Sequence, residues 1–176
     1  TRNYVQKLEI ETNAPEDKLD VVVDASWANE AGRKSTSGGV IRLRGFPLTW
    51  WSKTQATVAQ STCEAELIAL NLGGTEGRFV QNVLSELEMH VGVELHSDST
   101  SAVRTTTKRG PGSMGHLDIK EPWLQDEMRS GRITISRITT EDNIADIFTK
   151  HLPRRRLEQL VTMFKLIDEG IGEQAG

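Results

Sequence analysis

The stretch VVVDASWANE, Val21 to Glu30, decides how the chain folds, because an apolar run ends abruptly on an acid. The three consecutive valines are β-branched and favour a strand that is buried in a sheet. Asp24 then places a carboxylate at the end of that strand, where burial costs several kcal/mol unless a partner neutralises the charge. The remaining sequence has to provide that partner.

The sequence around this strand predicts a five-stranded α/β fold. Strands are predicted over 18–24, 37–45, 47–53, 91–98 and 131–138. Helices are predicted over 61–74, from Thr75 to about Met89, over 99–108, from about Leu117 to Arg129, over 140–150 and from Pro153 onward. This order implies a mixed sheet that is flanked by helices, with the first three strands antiparallel and the later strands entered through helical crossovers.

Length and composition indicate one globular domain in 176 residues. We expect a linker over 1–17, the domain over 18–152, and a C-terminal helix and tail over 153–176. Thr1 is not an initiator methionine, so the chain is expected to be a piece of a longer one. No 18-residue apolar run and no signal-like N-terminus are present, and a single Cys63 fits a reducing compartment. These features predict an intracellular protein without a membrane partner.

The net charge of −4 argues mildly against a free-standing nucleic-acid binder, because affinity for phosphate is built from Lys and Arg. A cluster of metal-binding acids would itself lower the net charge, however. Local basic groups also remain, at Arg33 and Lys34 among others. The charge therefore leaves nucleic-acid binding open.

Two further acids raise the same question as Asp24. Asp98 ends another predicted strand, and ligands of α/β sheets gather at the carboxyl ends of strands. Asp98 could instead cap the following helix, and Asp24 could simply face water. In the helix STCEAEL, a capping box with Ser61 explains Glu64 but leaves Glu66 unexplained, so Glu66 is either exposed or functional.

Asp146 projects away from the apolar stripe of its predicted helix, and taken alone it is better explained as part of a solvated face. If Asp24, Glu66, Asp98 and Asp146 converge, their repulsion would protonate them unless divalent cations neutralise the charge. Two such ions about 4 Å apart can clamp an in-line phosphodiester displacement. The four acids together therefore indicate metal-dependent phosphodiester chemistry.

Several motifs carry a more specific resemblance. They are VVVDASWANEAGRKSTSGGVIRLRGFPLTWWSKTQATVAQSTCEAELIAL, then HSDSTSAV, GHLDI and TEDNIADIFTKHLP. Together they closely resemble the ribonuclease H domain of copia-type LTR retrotransposon polyproteins, from about Leu19 to about Leu166. The resemblance implies a ribonuclease H-like fold with a five-stranded mixed sheet. It also places the catalytic, metal-binding acids on Asp24, Glu66, Asp98 and Asp146.

This resemblance implies hydrolysis of the RNA strand of an RNA–DNA hybrid with two Mg²⁺ ions, for which Mn²⁺ can substitute. Asp24 and Asp146 would hold the ion that activates water, while Asp24, Glu66 and Asp98 would hold the other. The implied partners are the hybrid and the reverse transcriptase domain of the same polyprotein, in an intracellular, cytoplasmic particle of the retroelement, with the nucleus as the alternative compartment. A non-catalytic hybrid-binding module is the alternative. A transposase or integrase core is disfavoured because Glu66 comes early in the chain.

Contacts to phosphate or sugar are expected from polar residues near these acids, since hybrids are recognised by shape and 2′-OH. They are Arg33, Lys34, Ser35, Thr36, Ser37, Lys53, Gln55, Ser61, Thr62, His116 and Asn143. His116 could equally be a structural residue at a helix start. Cellular ribonucleases H resemble this layout but carry a loop histidine before the last acid, and SRITTEDN has none.

Trp50 and Trp51 are adjacent on a predicted strand, so one should face the core and the other solvent or a partner. Trp50 matches the tryptophan of the family and is predicted to lie in the core. Trp51 is expected to be buried under a helix rather than to stack on nucleic acid.

Overall fold

The computed structural model describes residues 4–6, 18–107, 120–164 and 166–168. His116 lies outside the described residues. The strands and helices are β1 (Tyr4–Gln6), β2 (Lys18–Ser26), β3 (Thr36–Leu43), β4 (Phe46–Thr54), α1 (Thr62–Glu86), β5 (Gly92–Ser97), α2 (Thr100–Thr107), α3 (Lys120–Arg129), β6 (Ile133–Arg137), α4 (Arg154–Met163) and β7 (Leu166–Asp168). Short 3₁₀ turns span Ala31–Arg33, Thr140–Asp142 and Ile144–Phe148.

Five strands form one mixed sheet in the order β4-β3-β2-β5-β6. β2, β3 and β4 are antiparallel neighbours, whereas β5 is parallel to both β2 and β6. The predicted α/β class and the antiparallel start of the sheet are therefore confirmed. β1 and β7 form a separate two-stranded antiparallel sheet, which the sequence pattern did not predict because each strand is only three residues long.

Alternation along β2 divides the interior into two cores. Val21 and Val23 pack on the α1 side of the sheet, with Leu67, Leu70 and Leu95 among others. Val22 lies on the opposite side with residues of the 3₁₀ turn Ile144–Phe148 and of α4. Among the described residues, no helix combines the length and apolar character needed to cross a membrane.

α1 is one continuous helix of 25 residues, so the predicted break between 61–74 and Thr75 is wrong. The helix continues through its glycines, and these residues allow it to approach the sheet closely. A Cβ added at Gly73 would lie 2.5 Å from Val23 Cγ1 and 3.2 Å from Leu95 Cδ2. Gly73 is therefore a packing residue and not a helix stop.

Replacing Gly73 by Ala should lower the free energy of unfolding by about 2 kcal/mol, because the new methyl group overpacks against Val23. In an open helix the same change would stabilise by about 1 kcal/mol. Urea denaturation measures the difference. Gly92→Ala is the control, since its Cβ would meet only Lys18 Cγ at 3.6 Å. A Gly73→Ala protein as stable as the wild type would contradict this account of α1.

The predicted helix over 140–150 is wrong as well, because two 3₁₀ turns replace it. Local side-chain hydrogen bonds begin both turns. Thr139 Oγ1 accepts from the Asp142 amide, and Asn143 Oδ1 accepts from the Ala145 amide at 3.1 Å. These bonds compete with a regular helix at this point.

The two tryptophans face opposite sides of β4, as the period of a strand requires. Trp51 is 8% exposed and lies in the core on the α1 side, which confirms its predicted burial. Trp50 is 52% exposed, so its predicted core position is wrong. Its ring meets Phe164 edge-on, with the ring centroids 5.6 Å apart.

Candidate active site

Three of the four predicted acids converge at the carboxyl edge of the sheet. The carboxylates of Asp24, Glu66 and Asp98 each offer an oxygen, and these oxygens all lie within 4.8 Å of one another. Asp24 comes from β2 and Asp98 follows β5, and these neighbouring strands run parallel. Their carboxyl ends therefore meet at the same edge, where α1 adds Glu66 from its second turn.

The ordinary explanations for these acids are not supported. Asp24 is completely buried and does not face water. Ser99, not Asp98, caps α2, since Ser99 Oγ accepts from the Ala102 amide at 3.3 Å. Asp98 is instead half-buried and accepts a hydrogen bond from Thr140 Oγ1 at 2.9 Å.

Capping separates the two glutamates of α1. Ser61 Oγ accepts from the Glu64 amide at 3.1 Å, as predicted. Glu64 Oε2 accepts from the amide of Gln60 at 2.7 Å, one residue before the predicted partner Ser61. Glu66 takes no part in this cap. Its Oε2 atom is buried and has no hydrogen-bond partner.

Asp146 is connected to Asp24 by an ion pair that each of them makes with Lys150. Lys150 Nζ lies 3.1 Å from Asp24 Oδ1 and 2.6 Å from Asp146 Oδ1, so it bridges the two carboxylates. Arg156 Nη2 lies 3.3 Å from Asp146 Oδ2. Asp146 is only 3% exposed, which overturns the alternative of a solvated helix face. Lys150 is the partner that the buried charge of Asp24 requires.

Two uncharged side chains complete the surroundings of Asp24. The Thr149 hydroxyl donates to Asp24 Oδ2, and Asn143 Nδ2 donates to Asp24 Oδ1 at 3.4 Å. Sequence reasoning missed the roles of Thr149, Lys150 and Arg156. The spacing of four residues between Asp146 and Lys150 was the available signal, because it is the spacing of helical ion pairs.

Burial dominates the electrostatics of the site. It raises the pKa of Asp24 to about 6, against the opposing effect of Lys150. Burial, together with the neighbouring carboxylates of Asp24 and Asp98, raises the pKa of Glu66 to about 8. Each of these groups therefore resists ionisation in the metal-free protein.

The residues fit a divalent metal ion. Three carboxylates within one ion's reach supply the hard oxygen ligands that Mg²⁺ and Mn²⁺ prefer. The unpartnered Oε2 of Glu66 lacks the positive group that its burial requires. A cation bound beside it would stabilise the ionised form that burial disfavours.

Replacing Glu66 by Gln should stabilise the metal-free protein above neutral pH. The folded protein keeps the Glu66 proton up to about pH 8 while the unfolded chain loses it near 4.5, so stability falls as the pH rises between these values. Because solvent partly screens the site, we expect the free energy of unfolding to rise by only roughly 1–3 kcal/mol at pH 8.5 and hardly at all at pH 4. Urea denaturation in EDTA at several pH values measures it, and a gain that does not change with pH would contradict the raised pKa.

The expected nucleic-acid contacts divide into exposed and buried groups. Arg33, Lys53 and Thr62 are exposed, and Lys34 and Ser61 are half-buried. Lys53 Nζ also pairs with Glu76 at 2.9 Å. The remaining described side chains are buried: Ser35, Thr36, Ser37, Gln55 and Asn143.

The buried group makes hydrogen bonds inside the protein, and direct contact of these side chains with nucleic acid stays a prediction. Ser35 Oγ accepts from the Ala28 amide at 3.1 Å, and Thr36 Oγ1 donates to Glu30 Oε1 at 3.2 Å. Gln55 Nε2 donates to Ser37 Oγ at 2.8 Å and to the Ala65 carbonyl at 2.9 Å. These side chains hold the loops beside the site.

The chain was compared with protein-family models, with known protein sequences and with solved structures. No protein-family model matches the chain. Over 138 residues, or 77% of the chain, it is 32% identical to the retrovirus-related Pol polyprotein from transposon TNT 1-94 of Nicotiana tabacum. It is 29% identical over 153 residues to the transposon Ty1-NL2 Gag-Pol polyprotein of Saccharomyces cerevisiae. The chain spans only 10% and 8% of these relatives.

Solved structures resemble the fold. LC11-RNase H1, isolated from compost, matches with a TM-score of 0.60 and 20% identity over 75% of this chain and 92% of that chain. The N-terminal RNase H domain of Rv2228c from Mycobacterium tuberculosis matches with a TM-score of 0.56 and 14% identity, over 84% and 98%. The chain therefore has the ribonuclease H fold. It is homologous to a segment of retrotransposon Pol polyproteins, which confirms the relationship that its motifs indicated.

Proposed function

We propose that this domain hydrolyses the RNA strand of RNA–DNA hybrids, using divalent metal ions held by its acidic cluster. The convergence of Asp24, Glu66 and Asp98 at the carboxyl edge of a ribonuclease H fold carries the proposal. A structure of LC11-RNase H1 in complex with an RNA/DNA hybrid matches with a TM-score of 0.53 and 20% identity over 75% of this chain, which is consistent with this substrate.

Asp24 is the shared ligand in this proposal. Its carboxylate neighbours Glu66 and Asp98 on one side, and through Lys150 it neighbours Asp146 on the other. Asp24, Glu66 and Asp98 would hold one ion, and Asp24 with Asp146 the second. When bound, such ions lower the pKa of water and neutralise charge on the phosphate. No nucleophilic side chain is needed.

The exposed basic and polar residues near the cluster would bind the substrate. Arg33, Lys34 and Lys53 would contact phosphates, and Ser61 and Thr62 would contact phosphate or sugar. Contact through His116 remains a prediction from the resemblance. Because the net charge is −4, we further propose that the reverse transcriptase domain of the same polyprotein supplies much of the affinity for the hybrid, inside an intracellular particle of the element.

Asp24→Asn and Glu66→Gln should each lower the rate of hybrid cleavage roughly a hundredfold or more, because each removes a charged ligand. The assay follows a labelled hybrid in Mg²⁺ and in Mn²⁺, against duplex RNA and duplex DNA. Asp126→Asn is the matched control, since Asp126 is exposed and pairs with Arg129 at 2.6 Å on α3.

Cutting of all three duplexes at equal rates would contradict specificity for the hybrid. Binding of the hybrid without cutting, alone or fused to the polymerase domain, would instead favour the alternative of a non-catalytic binding module.

A further inference from the structure

Lys150 occupies a place between two acids that the motifs assigned to metal. Its ammonium lies within 3.1 Å of both Asp24 Oδ1 and Asp146 Oδ1. Asp146, in contrast, stands outside the group of acids whose oxygens lie within 4.8 Å of one another. A protein cation, and not a shared position among four carboxylates, therefore joins Asp146 to the cluster.

The two sides of Asp24 differ in whether a positively charged side chain neutralises the buried acids. The side chains of Asp24 and Asp146 are 1% and 4% exposed, and Lys150 supplies the positive charge that such burial requires. Glu66 Oε2, on the other side of Asp24, is buried with no hydrogen-bond partner. One half already contains a cation, and the other half lacks one among the contacts that the described residues make.

Lys150 differs from Arg156, the other cation at Asp146 among the described residues, in its access to water. Its side chain is 37% exposed, so a rotation can bring the ammonium into water. Arg156 is fixed, because its guanidinium donates to the Thr140 carbonyl at 2.7 Å and to the Glu141 carbonyl at 2.8 Å. Arg156 would continue to pair with Asp146, at 3.3 Å, after Lys150 had left.

We propose that Lys150 is a built-in counter-ion that holds the cation position between Asp24 and Asp146 in the metal-free domain. One divalent cation binds first, at Asp24, Glu66 and Asp98. A second binds between Asp24 and Asp146 only when the Lys150 ammonium leaves. This inference rests on the proposed function in one respect, namely that the acidic cluster binds divalent metal.

Titration of the purified chain with Mn²⁺, without substrate, tests the order of binding. Electron paramagnetic resonance measures the concentration of free Mn²⁺, and calorimetry gives the two dissociation constants. The wild type should bind a first ion and then a second more weakly. Lys150→Met should bind the second ion about tenfold more tightly, because no ammonium competes for the position. Without metal, this variant should also melt at a lower temperature and regain stability with Mn²⁺.

Lys18→Met is the matched control, because Lys18 also pairs with an acid, at 3.7 Å from Glu94, but lies at the opposite end of β2 from Asp24. It should bind both ions as the wild type does. Equal affinity for the second ion in wild type and Lys150→Met would overturn the inference while leaving the proposed function intact. Absence of Mn²⁺ binding in every protein would overturn both.

A second measurement uses the wild type alone and does not depend on the variant folding. Acetic anhydride modifies exposed lysines, and mass spectrometry reads the modification of each one. Saturating Mg²⁺ should raise the modification of Lys150 severalfold over the metal-free protein, while Lys18 stays unchanged. Unchanged reactivity of Lys150 at saturating Mg²⁺ would overturn its displacement.

Discussion

The buried carboxylate of Asp24 is the constraint on which the rest of the structure depends. It lies near the carboxyl end of the central strand β2, between β3 and β5, and is almost completely shielded from water. A charge in that position has to be met by the protein. The chain meets it with Asn143, Thr149 and Lys150, which follow Asp24 by more than a hundred residues.

The segment that carries these groups is held against the sheet by close packing. A Cβ at Gly38 of β3 would lie 2.6 Å from Thr149 Cγ2 and 2.7 Å from Phe148 Cβ, so only glycine permits this approach. Ser52 of β4 donates to the Phe148 carbonyl at 2.6 Å. The position of Lys150 thus depends on two strands that contribute none of the four acids. The packing of this segment on one face of the sheet therefore also positions the Lys150 side chain at the acids.

Sequence patterns could predict the sheet and the location of the acids, but not their partners. The valine run that stops at Asp24 and the strand predicted over 91–98 placed two acids near strand ends, and parallel neighbours bring such ends together. The break predicted between Gly74 and Thr75 was wrong because local propensity contains no information about the distance between a helix and a sheet. Trp50 and Trp51 could be assigned to opposite faces, but the period alone does not say which face has the deeper core. The burial of Asp146 and the contact of Lys150 with Asp24 depend on tertiary packing that no local pattern contains.

The charges at the site explain why a divalent cation suits it. Asp24, Glu66, Asp98 and Asp146 offer four negative charges, and Lys150 and Arg156 are the cations in contact with them among the described residues. With all four acids ionised, two negative charges would remain. In the metal-free protein burial, together with the carboxylates of Asp24 and Asp98, raises the pKa of Glu66 to about 8. A single divalent ion would neutralise that remainder and displace the proton. The same excess of negative charge would repel a phosphate backbone, so a bound cation would also favour the nucleic-acid substrate that we propose.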